Sequence, residues 1–462
     1  MISINNLIKE QMQIAIELLS TQEFDNICDE QAKKAYTLYM GLQQKPDWFK
    51  GPDKVKPKKI NKTHETITTD FFKIPERIIY LRNWSLNILP FIDLFSEIGK
   101  LPLTRKIDFK DDFLGYIEEV FNNYRSILQN IHCTIPIEYS IITNEDLRNT
   151  NRLCDKIIDS IREYYKGFPD KAYSELRIGI VNHLSIPEHL KNTMKLTGSI
   201  TSVFYKMRLG TEYSFNKDEM FHIPLERRGL VSTNRYSIPG LPCVYLGSTP
   251  LTCWEELNKP DLNTVQTSLF VSKNINYLDL SIPPAELIGD LIHKFHLYGG
   301  ANMKKIYTSL RDYIVLWPLI AACSVRVQNK NDSFKPEYII PQLLLQFIRQ
   351  SRFDGISYFS TKIDNYSFET AKLYKNFAFP VQELAKKGLC PILQKKFDVT
   401  DAIPWQMFKL YKDSALCTPT EIEGNKRIDI EFIDGMNLLY SSTDFAKLEN
   451  LLHNKFTLEK SK

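Results

Sequence analysis

Residues 201–257 hold four arginines, several tyrosines and two adjacent glutamates. A guanidinium is planar and always charged, and it grips phosphate oxygens through two parallel hydrogen bonds. Arg208, Arg227, Arg228 and Arg235 are therefore candidate anion ligands, against the plainer reading of surface ion pairs. Tyrosine rings stack on flat heterocycles, and a fixed carboxylate stabilises a cation developing on a sugar. Together these are the side chains needed to handle a dinucleotide.

The elements that must position them are short. Val244–Leu246 reads as a strand and Gly247 as a turn, with Ser248 or Thr249 capping a helix that starts at Pro250. That helix runs Leu251–Asn258 and carries Glu255 and Glu256. One residue turns a helix by about 100°, so the two carboxylates do not share a face. Leu251, Cys253, Trp254 and Leu257 mark the apolar side; the glutamates flank it, and periodicity does not choose between them. Later, Asp354-Gly355 is a turn signal before Ile356–Ser360. Ile356, Tyr358 and Ser360 fall on one strand face, and a terminal serine hydroxyl there can bond a ribose or a phosphate or simply cap the edge.

These segments resemble the RES family, named for its arginine, glutamate and serine. The resemblance covers roughly residues 200 to 380. In the family a tyrosine–arginine pair opens the unit. Here FYKMR matches it with Tyr205 but has Lys206 at the arginine, and Arg208 follows two residues on. The loop arginine of the family is matched by Arg235 in NRYSIPG, beside Tyr236, and the strand tyrosine by Tyr245. The glutamate eleven residues later falls on Glu256 rather than Glu255, and the serine on Ser360.

The resemblance implies an ADP-ribosyltransferase-like fold and a toxin that consumes NAD. Its implied roles put Glu256 under the ribose as the nicotinamide bond breaks, with Arg208 and Ser360 beside it in the catalytic set. Arg235, Lys206, Tyr205, Tyr236, Tyr245 and His222 line the NAD site. NAD is then substrate and no cofactor or metal is required. Water as acceptor gives hydrolysis, phosphate gives phosphorolysis, and a protein side chain gives ADP-ribosylation. A neutralising antitoxin or immunity protein is the expected partner, with self-association allowed; neither a membrane nor a nucleic acid is expected. Two other readings stand beside this one. Arg125 with His132, or Arg177 with His183, is a pairing that helical RNases use, and the lysine at the first arginine position suits a non-catalytic scaffold.

The whole chain fits this scale of machinery. Its 462 residues suggest two or three domains. An apolar fraction of 43% and a charged fraction of 25% are those of an ordinary globular protein. A net charge of +4 does not demand a nucleic-acid partner. The eight cysteines form no CxxC pair and show no zinc spacing, so reduced thiols are expected. The first twenty residues lack a basic start before an unbroken apolar core, and the longest apolar run, Tyr313–Val325, is too short to cross a bilayer. A cytoplasmic protein is expected.

Periodicity predicts helices over 1–45, 74–99, 110–131, 144–166, 185–195, 302–325 and 339–351, with a lysine-rich linker at 50–62. After Gly198 short β-rich runs appear: SVFYKMR, PCVYLG, TSLFVSK, INYLDL and DGISYFS, and later IDIEFI before a helical tail. The predicted class is α+β, with a helical region over 1–195 and a catalytic unit with a C-terminal extension over 196–462.

Overall fold

A computed structural model of the chain describes residues 101–109, 112–134, 140–183, 202–272, 274–284, 286–287, 303–364, 366, 370–383, 385–417 and 428–460, with Phe91, Leu94 and Phe95. The helices expected at 1–45 and 185–195, most of that at 74–99, and the linker at 50–62 lie outside the described residues.

Three helices come first: α1 (Phe113–Thr134), α2 (Asn144–Tyr165) and α3 (Pro169–His183). Thr143 and Asp146 close a reciprocal capping box that starts α2. Pro169, at the first position of α3, opens that helix rather than merely ending the one before. Then follow β1 (Ser202–Leu209), β2 (Cys243–Gly247), α4 (Pro250–Glu256), β3 (Val265–Ser272) and β4 (Tyr277–Leu280). Next are α5 (Met303–Cys323), α6 (Ile339–Gln350), β5 (Gly355–Phe359) and β6 (Lys375–Pro380). The chain continues through α7 (Pro391–Lys396), β7 (Asp398–Val399), β8 (Ile403–Pro404), α8 (Trp405–Tyr411), β9 (Asp429–Ile433), β10 (Met436–Leu439) and α9 (Asp444–Lys460). The class is α+β.

The main sheet runs β4-β5-β6-β2-β1-β3-β7, with β8 also on β3, while β9 and β10 form a separate hairpin. Only β4 and β5 pair in parallel among the described strands of this sheet. Its two faces are both buried but differ in kind. One holds Phe204, Leu246, Phe270, Phe377, Phe379 and Phe397, a cluster of edge-to-face aromatic rings. The other holds Tyr205, Tyr245, Leu269, Ile356, Tyr358 and Ala378 and continues into the helices. A single row crosses this second face from strand to strand: Tyr358, Asn376, Gly247, Tyr205 and Leu269.

Helices α5 and α6 lie between that face and the α1–α3 group, so one apolar core joins them all. Tyr124 of α1 stacks on Trp317 of α5 at 4.2 Å and donates to the Ile314 carbonyl at 2.6 Å. Arg311 binds Asp146 through two hydrogen bonds of 2.8 Å, a bidentate tie between α5 and α2. No helix among the described residues is long and apolar enough to cross a membrane.

The segment before α1 is fastened to the sheet side by a second ion pair. Arg105, 8% exposed, donates to Glu337, 1% exposed, and the Leu103 carbonyl accepts the Arg326 N–H at 2.7 Å. Removing one partner of a buried pair leaves the other charge uncompensated, at a cost of about 3–5 kcal/mol. Arg105→Met is expected to lower the free energy of unfolding by that amount in denaturant titrations. Arg105→Met with Glu337→Gln together should cost clearly less.

Candidate active site

Helix α4 is built to rest on the sheet. Thr249 caps it, accepting from the Thr252 N–H at 3.0 Å, and Pro250 fills its first turn. Gly247 lies directly beneath. A Cβ there would stand 2.8 Å from the Cys253 sulfur and 3.2 Å from the Thr252 Cβ. The glycine is what lets the helix approach so closely.

The helix ends abruptly. Asn258 and Lys259 take left-handed backbone angles, with φ of 64° and 54°, and the Lys259 N–H reaches the Trp254 carbonyl at 3.0 Å. Each such non-glycine residue costs on the order of 1 kcal/mol and persists only where its surroundings impose it. Lys362 supplies that restraint. Its ammonium donates to the Glu256 and Glu255 carbonyls and, at 2.8 Å, to Asn258 Oδ1. A cation at a helix C-terminus also satisfies the negative end of the helix dipole. Burial lowers the Lys362 pKa, while the Glu256 charge raises it.

At the end of this helix the two glutamates part. Glu255 is 7% exposed, and its Oε1 lies 3.2 Å from the Lys259 ammonium. Glu256 turns the other way, over the sheet. Its Oε1 accepts from Ser360 Oγ at 2.6 Å and from Asn376 Nδ2 at 2.7 Å. Its Oε2 meets only the Lys362 ammonium, at 3.7 Å, among the ion pairs described, and a third of the side chain stays open. Ser360 is itself held: its Oγ accepts the Lys362 N–H at 3.2 Å, and its carbonyl accepts from Tyr366.

Arg235 stands on the same side. Its loop is braced by Ser237, which exchanges hydrogen bonds with Asn234, and by Gln342 of α6, which donates to the Asn234 carbonyl. The guanidinium is buried over the Tyr338 ring, 5.2 Å from its centre. It donates to the Cys323 carbonyl and to Thr361 Oγ1, both at 3.2 Å. Among the described residues no carboxylate lies within 4.0 Å of it. Burial raises the Tyr338 pKa, Arg235 opposes that rise and Glu256 adds to it, so the phenol feels both charges.

Tyrosines pack around these groups. Tyr236 is buried against Tyr358, with ring centres 4.3 Å apart, and its carbonyl accepts from the Tyr245 hydroxyl at 2.8 Å. Burial pushes the Tyr245 and Tyr358 hydroxyls well above the usual phenol value, with the Glu256 charge adding to the rise at Tyr358, so both remain neutral.

Glu256, Ser360, Arg235, Tyr236 and Tyr245 are thus brought together. Lys206, Arg208, Tyr205 and His222 are not, which corrects their placement in one cavity with Glu256. Successive strand residues point to opposite faces. Lys206 and Arg208 share the phenylalanine face with Phe204, on the far side of the sheet. Lys206 donates to the Phe221 carbonyl; Arg208 donates to the Glu219 carbonyl at 2.6 Å and lies 4.6 Å from the Phe215 ring centre. Tyr205 is on the site face but under α9, its hydroxyl 3.0 Å from His453 Nε2. His222 is buried, with Nδ1 on the Ile223 carbonyl at 2.8 Å and Nε2 accepting the Cys390 N–H at 2.9 Å. It is a neutral loop brace whose pKa is lowered by burial.

Three members of the cluster went unread in the sequence: Asn376, Lys362 and Tyr338. A polar residue inside the apolar run KNFAFP was the available signal for Asn376. On α1, Arg125 is tied to the Asn151 carbonyl and to Asp155, and His132 lies 3.0 Å from Asn144 Oδ1; both serve the α1–α2 contact. Arg177 is exposed, and the His183 side chain lies outside the described residues. No group of three His, Cys, Asp or Glu residues among those described could hold a metal. A groove of about 390 Å³ opens instead on the phenylalanine side, between Lys217, Asp218, Gln394, Asp398, Phe456 and Lys460. Its charges are of both signs, and Lys460 is paired with Asp398 at 2.8 Å.

No family model and no solved structure matches the chain. It is 35% identical over 438 residues to the Bacillus subtilis (strain 168) protein named "Putative toxin YopC". The match covers 93% of this chain and 94% of that protein. The chain belongs to the YopC family. Coverage of that extent takes in both the helical region and the sheet rather than the Glu256 unit alone.

Burial, with a smaller push from Arg208, lowers the Lys206 pKa to about 8. The unfolded value is about 10.4. Between these values the folded protein binds fewer protons than the unfolded chain, so stability rises with pH across that window. Lys206→Met removes this contribution. The wild-type unfolding free energy minus that of the variant is expected to increase from pH 7 to pH 9.5 in denaturant titrations.

Proposed function

We propose that this protein is a toxin that degrades NAD by cleaving the bond between nicotinamide and ribose. The observation that carries the reading is the Glu256 carboxylate, one-third open and anchored at one oxygen, on the same side as a buried Arg235 that has no carboxylate partner among the described residues. A buried charge without a counter-ion is costly, and a phosphate of the substrate would supply the missing negative charge. The toxin part of the reading is supported by the name of the YopC relative.

In this mechanism nicotinamide leaves as a neutral ring and the ribose gains positive charge. A carboxylate aimed at that carbon gains more in the transition state than in the ground state. Glu256 Oε2 is the oxygen free for this task. Arg235 takes a pyrophosphate oxygen, and Tyr245 and Tyr358 wall the ring. The first-arginine function is not filled by Lys206 or Arg208, which lie across the sheet, so in this reading Arg235 rather than either of them carries the anion. Water or phosphate then takes the ribosyl carbon. In this reading the sheet with its Glu256 helix is an ADP-ribosyltransferase-like unit, NAD directs its action to the cytoplasm, and a neutralising protein restrains it.

The test is nicotinamide release from NAD by pure protein. Glu256→Ala is expected to lose about 100- to 1000-fold in turnover. Glu255→Gln should stay within a few-fold of wild type, because that carboxylate faces Lys259. Arg235→Met should act mainly by raising KM. Wild-type protein that leaves NAD intact, or equal loss from both glutamate variants, defeats the proposal.

A further inference from the structure

We infer that Asn376 is a positioning residue for Glu256, fixing which of its two oxygens works on the substrate. The inference rests on the reading of Glu256 given above. Asn376 sits inside β6, 5% exposed, between Tyr358 on one neighbouring strand and Gly247 on the other. Of its two strand neighbours on the opposite face, Phe377 lies in the aromatic cluster and Lys375 is bonded to Glu286 at 3.2 Å. A buried amide in a central strand is tolerated only when bonded, and its Nδ2 donates to Glu256 Oε1 at 2.7 Å.

Ser360 Oγ donates to the same oxygen at 2.6 Å. Two donors converge on Oε1, while among the described residues Oε2 meets only the Lys362 ammonium, 3.7 Å away. The asymmetry has a chemical meaning. Oε1 is saturated by the protein and locked in direction, and Oε2 keeps its lone pairs for the substrate. Ser360 could fix the carboxylate against rotation from one side only. Asn376 supplies the second point, from a strand that cannot move independently of the sheet. It touches no reacting atom in this arrangement and acts only through Glu256.

Asn376→Leu preserves shape and removes the donor. The expected result is a fall in turnover for nicotinamide release of about 10- to 100-fold with KM within twofold of wild type. On a Glu256→Ala background the same substitution should cause no further loss. A residue needed merely for packing would lower both backgrounds alike, and that result overturns the inference. A second measurement does not depend on the reaction. Unfolding midpoints of Asn376→Leu, Glu256→Ala and the double variant are compared, and the double variant should lie at least about 2 °C above the additive value. Strict additivity overturns the contact. If wild type releases no nicotinamide but the midpoints are non-additive, the NAD reading fails while the clamp on Glu256 stands.

Discussion

How closely a seven-residue helix can rest on a sheet decides where Glu256 goes. Helix α4 is shorter than two and a half turns, so it has little hydrogen bonding of its own to hold it. Its position comes from what it rests on. Gly247 opens a place in the row of side chains across the sheet, and Cys253 and Thr252 drop into it. Cys253 reaches the Tyr205 carbonyl at 3.2 Å, and Thr252 reaches the Leu373 carbonyl. With the first turn seated, the last residue of the helix emerges above Asn376 and Ser360. A side chain at 247 would lift the helix and carry Glu256 away from both.

The same economy governs the charges. Glu256 and Arg235 are not paired with each other, although each would satisfy the other if they met. Arg235 is turned aside by the Cys323 carbonyl and by Thr361, and Glu256 by Ser360 and Asn376. Charge-assisted hydrogen bonds to neutral groups stabilise each ion, and the Lys362 ammonium, 3.7 Å from Glu256 Oε2, adds a counter-charge at the carboxylate. The two charges thus stay unpaired with each other. Strain at Asn258 and Lys259, held by Lys362, sits at the same place, where structures commonly keep it for function.

Much of the fold was legible in the sequence. The strand and helix around Gly247 were readable because Thr249 and Pro250 are unambiguous starting signals. The helices expected at 110–131 and 144–166 are α1 and α2, within three residues at each end. Other features were not legible, for physical reasons. Helix α3 was not among the helices expected from periodicity, although the proline at its first position suits a helix start. Strand β6 is short and interrupted by Asn376, whose amide is acceptable only because Glu256 comes from 120 residues away in sequence. Lys206 and Arg208 could not be assigned to a face, because both faces of this sheet are buried and no alternation of polarity distinguishes them. The choice between Glu255 and Glu256 likewise hangs on the last turn of α4, where Lys362 and the left-handed residues decide it.

One consequence concerns the helical region. The segment Leu103–Arg105 touches two loops at once. Arg105 holds Glu337, the residue before Tyr338, whose ring lies beneath Arg235. The Leu103 carbonyl holds Arg326, whose guanidinium binds Asp364 and the Ile363 carbonyl, directly after Lys362. One loop therefore sets the guanidinium and the other sets the carboxylate, and a single strap joins them. The helices pack behind that strap in the same apolar core as the sheet. The strap thus ties the loop under Arg235 to the loop beside Glu256. That is the physical reason a relative matching 93% of the chain is expected to preserve the helical region along with the site.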